Sequence, residues 1–309
     1  TVAADNVMRL YGETNPVLTV TYSGFVLGQN KSVLSGSPSI TTTAAINSPI
    51  GSYPIHVTAG SLASSNYAFT FVDGVLNVVP VGALFLDNFV RSTDPGPVEP
   101  WVVQAGNWSV TGGVLSSGLN TPYGYSYVYL TNLWADYSVQ ALIRLSAGAY
   151  GGGLATRLDP ATGARYAAWI YPAGSSGGSD VLILVKYQNW TDFLVIEQVG
   201  VASVGTDWHT LKLVARGNHL AAHYDGIPVI SWTDPDPQPF LTGGIGVEMW
   251  TDGTAYTLSA DDVLVALPSG PVAADDAYSI RKGGTLTVPA PGVLNNDIPE
   301  MGSLTALLN

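Results

Sequence analysis

The chain is built from short stretches in which apolar and polar residues alternate, each closed by Gly, Pro, Asn or Asp. "PVLTVTYSGF" (16–25) and "WHTLKLVARG" (208–217) are clean examples. Successive side chains of an extended strand point to opposite faces, so this alternation predicts strands with one buried face. No stretch repeats apolar residues at i, i+3, i+4 and i+7 over a useful length, so no amphipathic helix is predicted. The predicted fold class is all-β.

Turn punctuation divides the pattern into three segments. Residues 1–80 hold several short strands at roughly 8–12-residue spacing, which predicts a small Ig-like sandwich. Within them, "YAFTFVDGVLNVVP" (67–80) places two apolar runs around Asp73-Gly74, a step that predicts a hairpin. Residues 82–267 carry about a dozen strand-like stretches, from "ALFLDNFV" to "LSADDVLVAL", and predict a two-sheet jelly roll. "PSGPVAADDAY" (268–278) has the composition of a linker. The remainder to residue 309 holds two or three strands, too few to bury a core of its own. It is expected to be cut from a longer chain or to pack on another domain or another copy.

Three of the four histidines fall in "WHTLKLVARGNHLAAHYDGIPVISW" (208–232). On a helix, His219 and His223 would sit one turn apart and share a metal. Here Gly217-Asn218 and Asp225-Gly226 are turn steps that bracket the pair, so the stretch between them is a strand. Four residues of strand span about 13 Å, whereas zinc needs its donors about 2 Å from the metal. The stretch is therefore expected to be a hairpin with incidental histidines.

Composition narrows the function classes. Of 309 residues, 46% are hydrophobic and 11% charged, which argues against a disordered chain. The net charge of −12, with no basic stripe, argues against a nucleic-acid partner. There is no cysteine, hence no disulfide framework and no thiolate metal site. No apolar run reaches the length of a membrane span, so no membrane insertion is expected in this segment. The sequence opens at Thr1 in mid-pattern, as expected of a processed or excised piece.

The first segment resembles the bacterial Ig-like MBG domain in "ADNVMRLYGETNP" (4–16), "YSGFVLGQ" (22–29), "SPIGSYPI" (48–55) and "NYAFTFVDGVLNV" (66–78). That resemblance implies a spacer module of large bacterial surface or secreted proteins, without catalytic residues; Tyr11, Tyr22, Tyr53, Tyr67 and Phe69 are then core or rim aromatics. The second segment resembles concanavalin-A-like and laminin-G-like jelly rolls, through "DNF", "NWSVTGGVLSS", "GGGLATRLDPATGARYAAWIYP", "WHTLKLVARGNHLAAHYDG", "GGIGVEMW" and "DDVLV" in that order. The last stretch, "ADDAYSIRKGGTLTVPAPGVLNNDIPEMGSLTALLN", resembles the opening of a cadherin-like bacterial Ig repeat.

Three kinds of chemistry follow. In jelly rolls of this kind the first and last strands lie side by side, and an acidic pair there holds a structural calcium. Asp87 with Asn88 and Asp261 with Asp262 are the matching candidates, with Asp275, Asp276 and Asp297 as the cadherin-like positions; hard oxygen donors suit that ion. Some hydrolases share the fold and carry two or three carboxylates on one strand. Glu197 ("VIEQVG") and Glu248 ("GVEMWTD") lack that spacing, so no catalytic residue is assigned. Finally, "PYGYSYVYL" places Tyr123, Tyr125, Tyr127 and Tyr129 on one strand face. With Trp169, Tyr171, Trp190 and Trp250 they are candidates for a carbohydrate platform, the alternative being a ladder of cross-strand pairs.

The combined expectation is a non-enzymatic structural or adhesive segment of a large bacterial surface or secreted protein. Its partners would be other domains or copies of the parent protein, and calcium would stiffen it. The alternative is a carbohydrate-binding module with a glycan partner; a diverged glycoside hydrolase ranks below both.

Overall fold

The structure, a computed structural model, describes residues 1–91, 93–119, 124–175, 178–268, 278, 283–285 and 287–288. Among these the chain is all-β, with one turn of 3₁₀ helix at Lys31–Val33. Most of the cadherin-like stretch, including Asp275, Asp276 and Asp297, lies outside the described residues.

The N-terminal unit is a sandwich of two small sheets. One joins β1 (Val2–Ala4), β3 (Val20–Tyr22) and β6 (Phe71–Val72); the other joins β2 (Val7–Leu10), β4 (Ser39–Thr42), β5 (Gly51–Thr58) and β7 (Gly74–Val79). Alternate residues of β5 and β7 (Ile55, Val57, Leu76, Val78) meet Val2 and Ala4 in a core between them. Tyr22, Tyr53 and Phe69 pack against that core, Tyr67 stacks edge-on to Phe25 at 5.5 Å, and Tyr11 is exposed.

The predicted Asp73-Gly74 hairpin is not formed. β6 pairs with β1, whereas β7 pairs with β5 and β2, so the step is a crossover between sheets. The reason is local. Asp73 Oδ1 accepts the Val57 amide at 3.0 Å and Oδ2 meets His56 Nδ1 at 2.7 Å, which ties the step to β5. Gly74 passes so close to β1 that a Cβ there would lie 2.6 Å from the Ala4 carbonyl oxygen.

The larger unit stacks two antiparallel sheets. One runs β10 (Ser109–Thr111), β11 (Val114–Ser116), β22 (Leu258–Ala266), β13 (Tyr137–Leu145), β18 (His209–Arg216), β19 (His219–Tyr224) and β20 (Ile227–Thr233), with β8 (Ala83–Asp87) also on β22. The first and last strands of this unit thus lie side by side, with Asp87 opposite Val263. The other sheet runs β17 (Phe193–Gly200), β16 (Val181–Tyr187), β15 (Arg165–Tyr171), β14 (Gly151–Leu158), β21 (Gly244–Thr251), β12 (Gly124–Tyr129) and β9 (Val102–Ala105).

Period-2 alternation decides what faces the interior. Leu211, Leu213 and Ala215 of β18 meet Leu154, Leu182, Leu184, Ile245, Val247 and Met249 of the seven-stranded sheet. Each such side chain contributes about 1.5–3 kcal/mol on full burial. The histidine-bearing stretch is the hairpin β18–β19 followed by β20. Gly217 has φ 53° at its first turn, and Asp225 and Gly226 have φ 50° and 79° at the second, as tight hairpin turns require.

The seven-stranded sheet departs from a one-sided pattern. Every residue of β14 and β16 is buried, so this sheet is covered on its outer face as well. What covers it is a second cluster of its own side chains.

Candidate functional site

On β12, Tyr125, Tyr127 and Tyr129 point outward, away from the second sheet, while Val128 enters the core. On β15 the outward set is Arg165, Ala167, Trp169 and Tyr171, and on β21 it includes Glu248 and Trp250. Strand pairing aligns these into rows. Tyr127 is opposite Glu248, Glu248 opposite Gly153, and Gly153 opposite Trp169. One row below, Tyr125 is opposite Trp250 and Trp250 opposite Gly151. Gly151 leaves room that a neighbouring ring occupies: a Cβ there would lie 2.6 Å from the Tyr171 ring.

The rings form one continuous cluster. Tyr125 stacks on Tyr127 at 5.3 Å between centroids and meets Trp169, Tyr187 and Trp250 edge-on at 6.2, 6.2 and 6.5 Å. Trp190, from the β16–β17 loop, lies 5.2 Å from Tyr127 and 5.8 Å from Tyr129. The Tyr127 hydroxyl donates to the Trp190 carbonyl and fixes that loop over the sheet. Tyr150 extends the cluster at the other end, 4.4 Å from Trp250 and 5.9 Å from Tyr171. Such edge-on and offset arrangements are the favourable ones for aromatic quadrupoles.

Beneath the rings lies a buried ion pair. Arg165 Nε donates to Glu248 Oε2 at 2.6 Å, and Trp169 Nε1 donates to Oε1 at 2.6 Å. Both charged side chains have essentially no exposed surface. The guanidinium carbon sits 3.7 Å from the Tyr187 ring centroid and 4.9 Å from that of Tyr127. Burial pulls the Arg165 pKa down, but the adjacent Glu248 charge outweighs it and leaves the group above its ordinary value. Burial, then the same carboxylate, push the Tyr127 and Tyr187 phenols up, so both stay neutral at all working pH values.

The expected platform residues divide into two groups. Tyr127, Tyr129 and Trp169 are buried inside the cluster, whereas Tyr125, Tyr171, Trp190 and Trp250 keep part of their rings open. Tyr123 lies outside the described residues. Arg165, Tyr187 and Tyr150 belong to the same face and were not singled out from the sequence. The alternation in "RYAAWIYP" does align Arg165 with Trp169 and Tyr171; what it lacks is the strand that brings Glu248 alongside.

The remaining candidates sit elsewhere. Asp87 is 7% exposed and fully engaged: Oδ1 accepts the Phe89 amide and Arg91 Nη1 at 2.8 and 2.9 Å, and Oδ2 accepts Arg91 Nη2 and Trp101 Nε1 at 2.8 and 3.0 Å. A cation at Asp87 would have to displace Arg91. Asn88 Oδ1 accepts the Val90 amide at 3.3 Å. Asp261 and Asp262 lie at a bulge in the β13–β22 pairing, with Asp262 at φ 49° and its amide 2.7 Å from Asp261 Oδ1. Burial, with the charges of Asp262 and Asp87, pushes the Asp261 carboxyl up to about 6. Among the described residues no cluster of three or more acidic, histidine or cysteine side chains is placed to hold a metal.

His219 lies between Thr233 Oγ1 (2.8 Å from Nδ1) and Ser231 Oγ (3.1 Å from Nε2), and His209 between Asp225 and the Tyr224 ring. Glu197 is exposed on the edge strand β17, four strand positions from Glu248. At about 4.8 Å per strand that is roughly 19 Å.

Residues 1–77 match the family model of the MBG domain (YGX type). A search of curated proteins finds no match. Solved structures similar to this chain include the carbohydrate-binding module CBM66 from Bacillus subtilis, 20% identical over 54% of this chain and 94% of that one, at a TM-score of 0.45. A Bacillus subtilis protein of unknown function with a galectin-like fold is 14% identical over 60% and 96%, at 0.47. The laminarinase from Rhodothermus marinus is 13% identical over 60% and 96%, at 0.46. At these scores none lends its ligand to this chain, and the functional reading rests on the outer face itself. No helix among the described residues is long and apolar enough to cross a membrane.

Proposed function

We propose that this chain is a non-catalytic glycan-binding segment of an extracellular bacterial protein, with the outer face of the seven-stranded sheet as its sugar platform. The observation that carries this is the gathering of Tyr125, Tyr171, Trp190 and Trp250, each partly open, over a foundation of buried rings and the Arg165–Glu248 pair. A flat apolar ring with polar groups at its rim offers stacking to the C–H face of a sugar and hydrogen bonds to its hydroxyls. The buried layer below holds the open rings in place, so little side-chain freedom is lost on binding. The N-terminal sandwich, in the region of the MBG match, acts as a spacer that holds the platform away from its point of attachment.

Binding without cleavage fits the carboxylates. Glycosidases that use two carboxyl groups hold them about 5–10 Å apart across the bond. Glu197 and Glu248 are about 19 Å apart by strand count, and Glu248 is neutralised by Arg165.

Affinity electrophoresis of the full chain through gels containing neutral polysaccharides tests the proposal. At least one polysaccharide retards the wild type, Tyr125→Ala and Trp250→Ala migrate freely, and no reducing sugar is released. Retardation by none of a broad set, or equal retardation of wild type and both variants, overturns it.

A further inference from the structure

Beyond the platform, four loops converge at the end of the sandwich nearest Trp250: residues 146–150, 172–175 with 178–180, 201–208 and 252–257. They line a cavity of about 400 Å³ that is open to solvent on one side. That is within the roughly 300–1,000 Å³ of small-ligand sites.

The walls are braced although they carry no regular structure. Asp180 Oδ1 accepts the amides of Ala173 and Val204 at 3.1 and 2.8 Å, joining two of the loops. Ser146 and Thr257 exchange two hydrogen bonds, Ser146 N to Thr257 O and Thr257 N to Ser146 Oγ, both at 2.9 Å, and join the other two. The fully buried Tyr256 hydroxyl donates toward the Trp250 and Gly151 carbonyls, both at 2.6 Å, which ties the 252–257 loop to the strands of the platform. At Gly174 (φ 86°) a Cβ would meet nothing within 4 Å, and at Gly148 (φ 78°) only Thr254 Cγ2 at 3.9 Å.

The lining gives the ligand's chemistry. Tyr150 belongs both to the cavity wall and to the platform cluster, so the aromatic surface runs without a break from Trp250 to the cavity mouth. The polar groups are the hydroxyls of Ser146, Tyr150, Ser175, Thr206 and Thr254 and the carboxylate of Asp252, whose Oδ1 accepts the Thr254 amide at 3.0 Å. The lining contains no Lys or Arg, and the whole chain carries a net charge of −12. A uronate or sulfated sugar is repelled; a neutral one is not.

We propose that this cavity receives the terminal residue of a neutral oligosaccharide whose following residues lie along Trp250 and Tyr125. The proposal rests on the glycan-binding reading and adds direction to it: the chain is recognised by its end. Asp252 accepts hydroxyl hydrogen bonds from the terminal sugar, and the loop walls that carry Tyr150 and Thr254 bound the site at this end of the sheet.

Titration calorimetry of the full chain with neutral gluco-, manno-, xylo- and fructo-oligosaccharides tests this, each with free ends and with one end or the other capped by methylation or reduction. Asp252→Asn and the cavity-filling Ala147→Trp are compared with Trp250→Ala, all with unchanged melting temperatures. The expected result is a loss of about tenfold or more in affinity in both cavity variants, and a similar loss on capping one end of the wild type's ligand. If the cavity variants bind like the wild type while Trp250→Ala loses binding, the end-recognition proposal is overturned and the platform stands. If the cavity variants lose binding while Trp250→Ala does not, the cavity stands and the platform reading falls. Wild type that binds no member of the set overturns both.

Discussion

Glu248 and Asp261 are both partly or wholly buried carboxyls, yet they carry opposite chemistry. Glu248 has Arg165 and the Trp169 indole against its two oxygens. Asp261 has two other carboxyl groups near it and, among the described residues, no cation paired with it, and its pKa is raised to about 6. Its folded-state pKa lies above the ordinary 3.8, so the folded chain binds a proton more tightly than the unfolded one between about pH 4 and 6. The contribution is present below pH 4 and is lost as pH rises through 6. After discounting for solvent around this half-buried group it amounts to about 1–2 kcal/mol. Urea denaturation at pH 4 and pH 7 of wild type and Asp261→Asn checks this: the variant gains relative to wild type by that amount at pH 7 and not at pH 4. An equal difference at both pH values contradicts it.

Residue identities alone did not reveal these pairings. Glu248 looks isolated because its partner is 83 positions away and is reached only through strand order. At Asp87 the strand sequence shows the acid and not the Arg91 turn that folds back on it. The Tyr ladder was legible because alternation along one strand needs no knowledge of neighbours.

At the scale of elements, hairpins with left-handed turn residues were readable directly, as β18–β19–β20 shows. Asp73-Gly74 has the same local signature but joins two sheets, because Asp73 is captured by β5 and Gly74 by the close approach of β1. The jelly-roll sheets also depend on a contact no local pattern displays. Lys186 of β16 donates to Asp234 Oδ2 at 2.7 Å and Asp236 Oδ2 at 3.0 Å, and Tyr166 of β15 donates to the same Asp234. These tie the seven-stranded sheet to the segment that follows β20. Lys186→Met leaves a buried Asp234 without its cation and costs about 3–5 kcal/mol. Adding Asp234→Asn to that variant restores part of the loss, measured as denaturation midpoints. A single variant as stable as wild type contradicts the assignment.

For the whole molecule, the all-β architecture followed from periodicity and turn chemistry, whereas the gathering of the aromatic rings on one sheet face required the topology. Two sheets stack to bury one core, and the seven-stranded sheet carries a second apolar layer on its far side. An apolar layer facing outward needs a reason, and a binding surface supplies one. The central claim is that sugar stacks on that layer. The most direct measurement is the calorimetric affinity of the full chain for whichever neutral glycan retards it in affinity gels, compared between wild type and a Trp250→Ala variant of equal melting temperature. The predicted loss is about 2 kcal/mol, roughly thirtyfold in Kd; an unchanged Kd would contradict the claim.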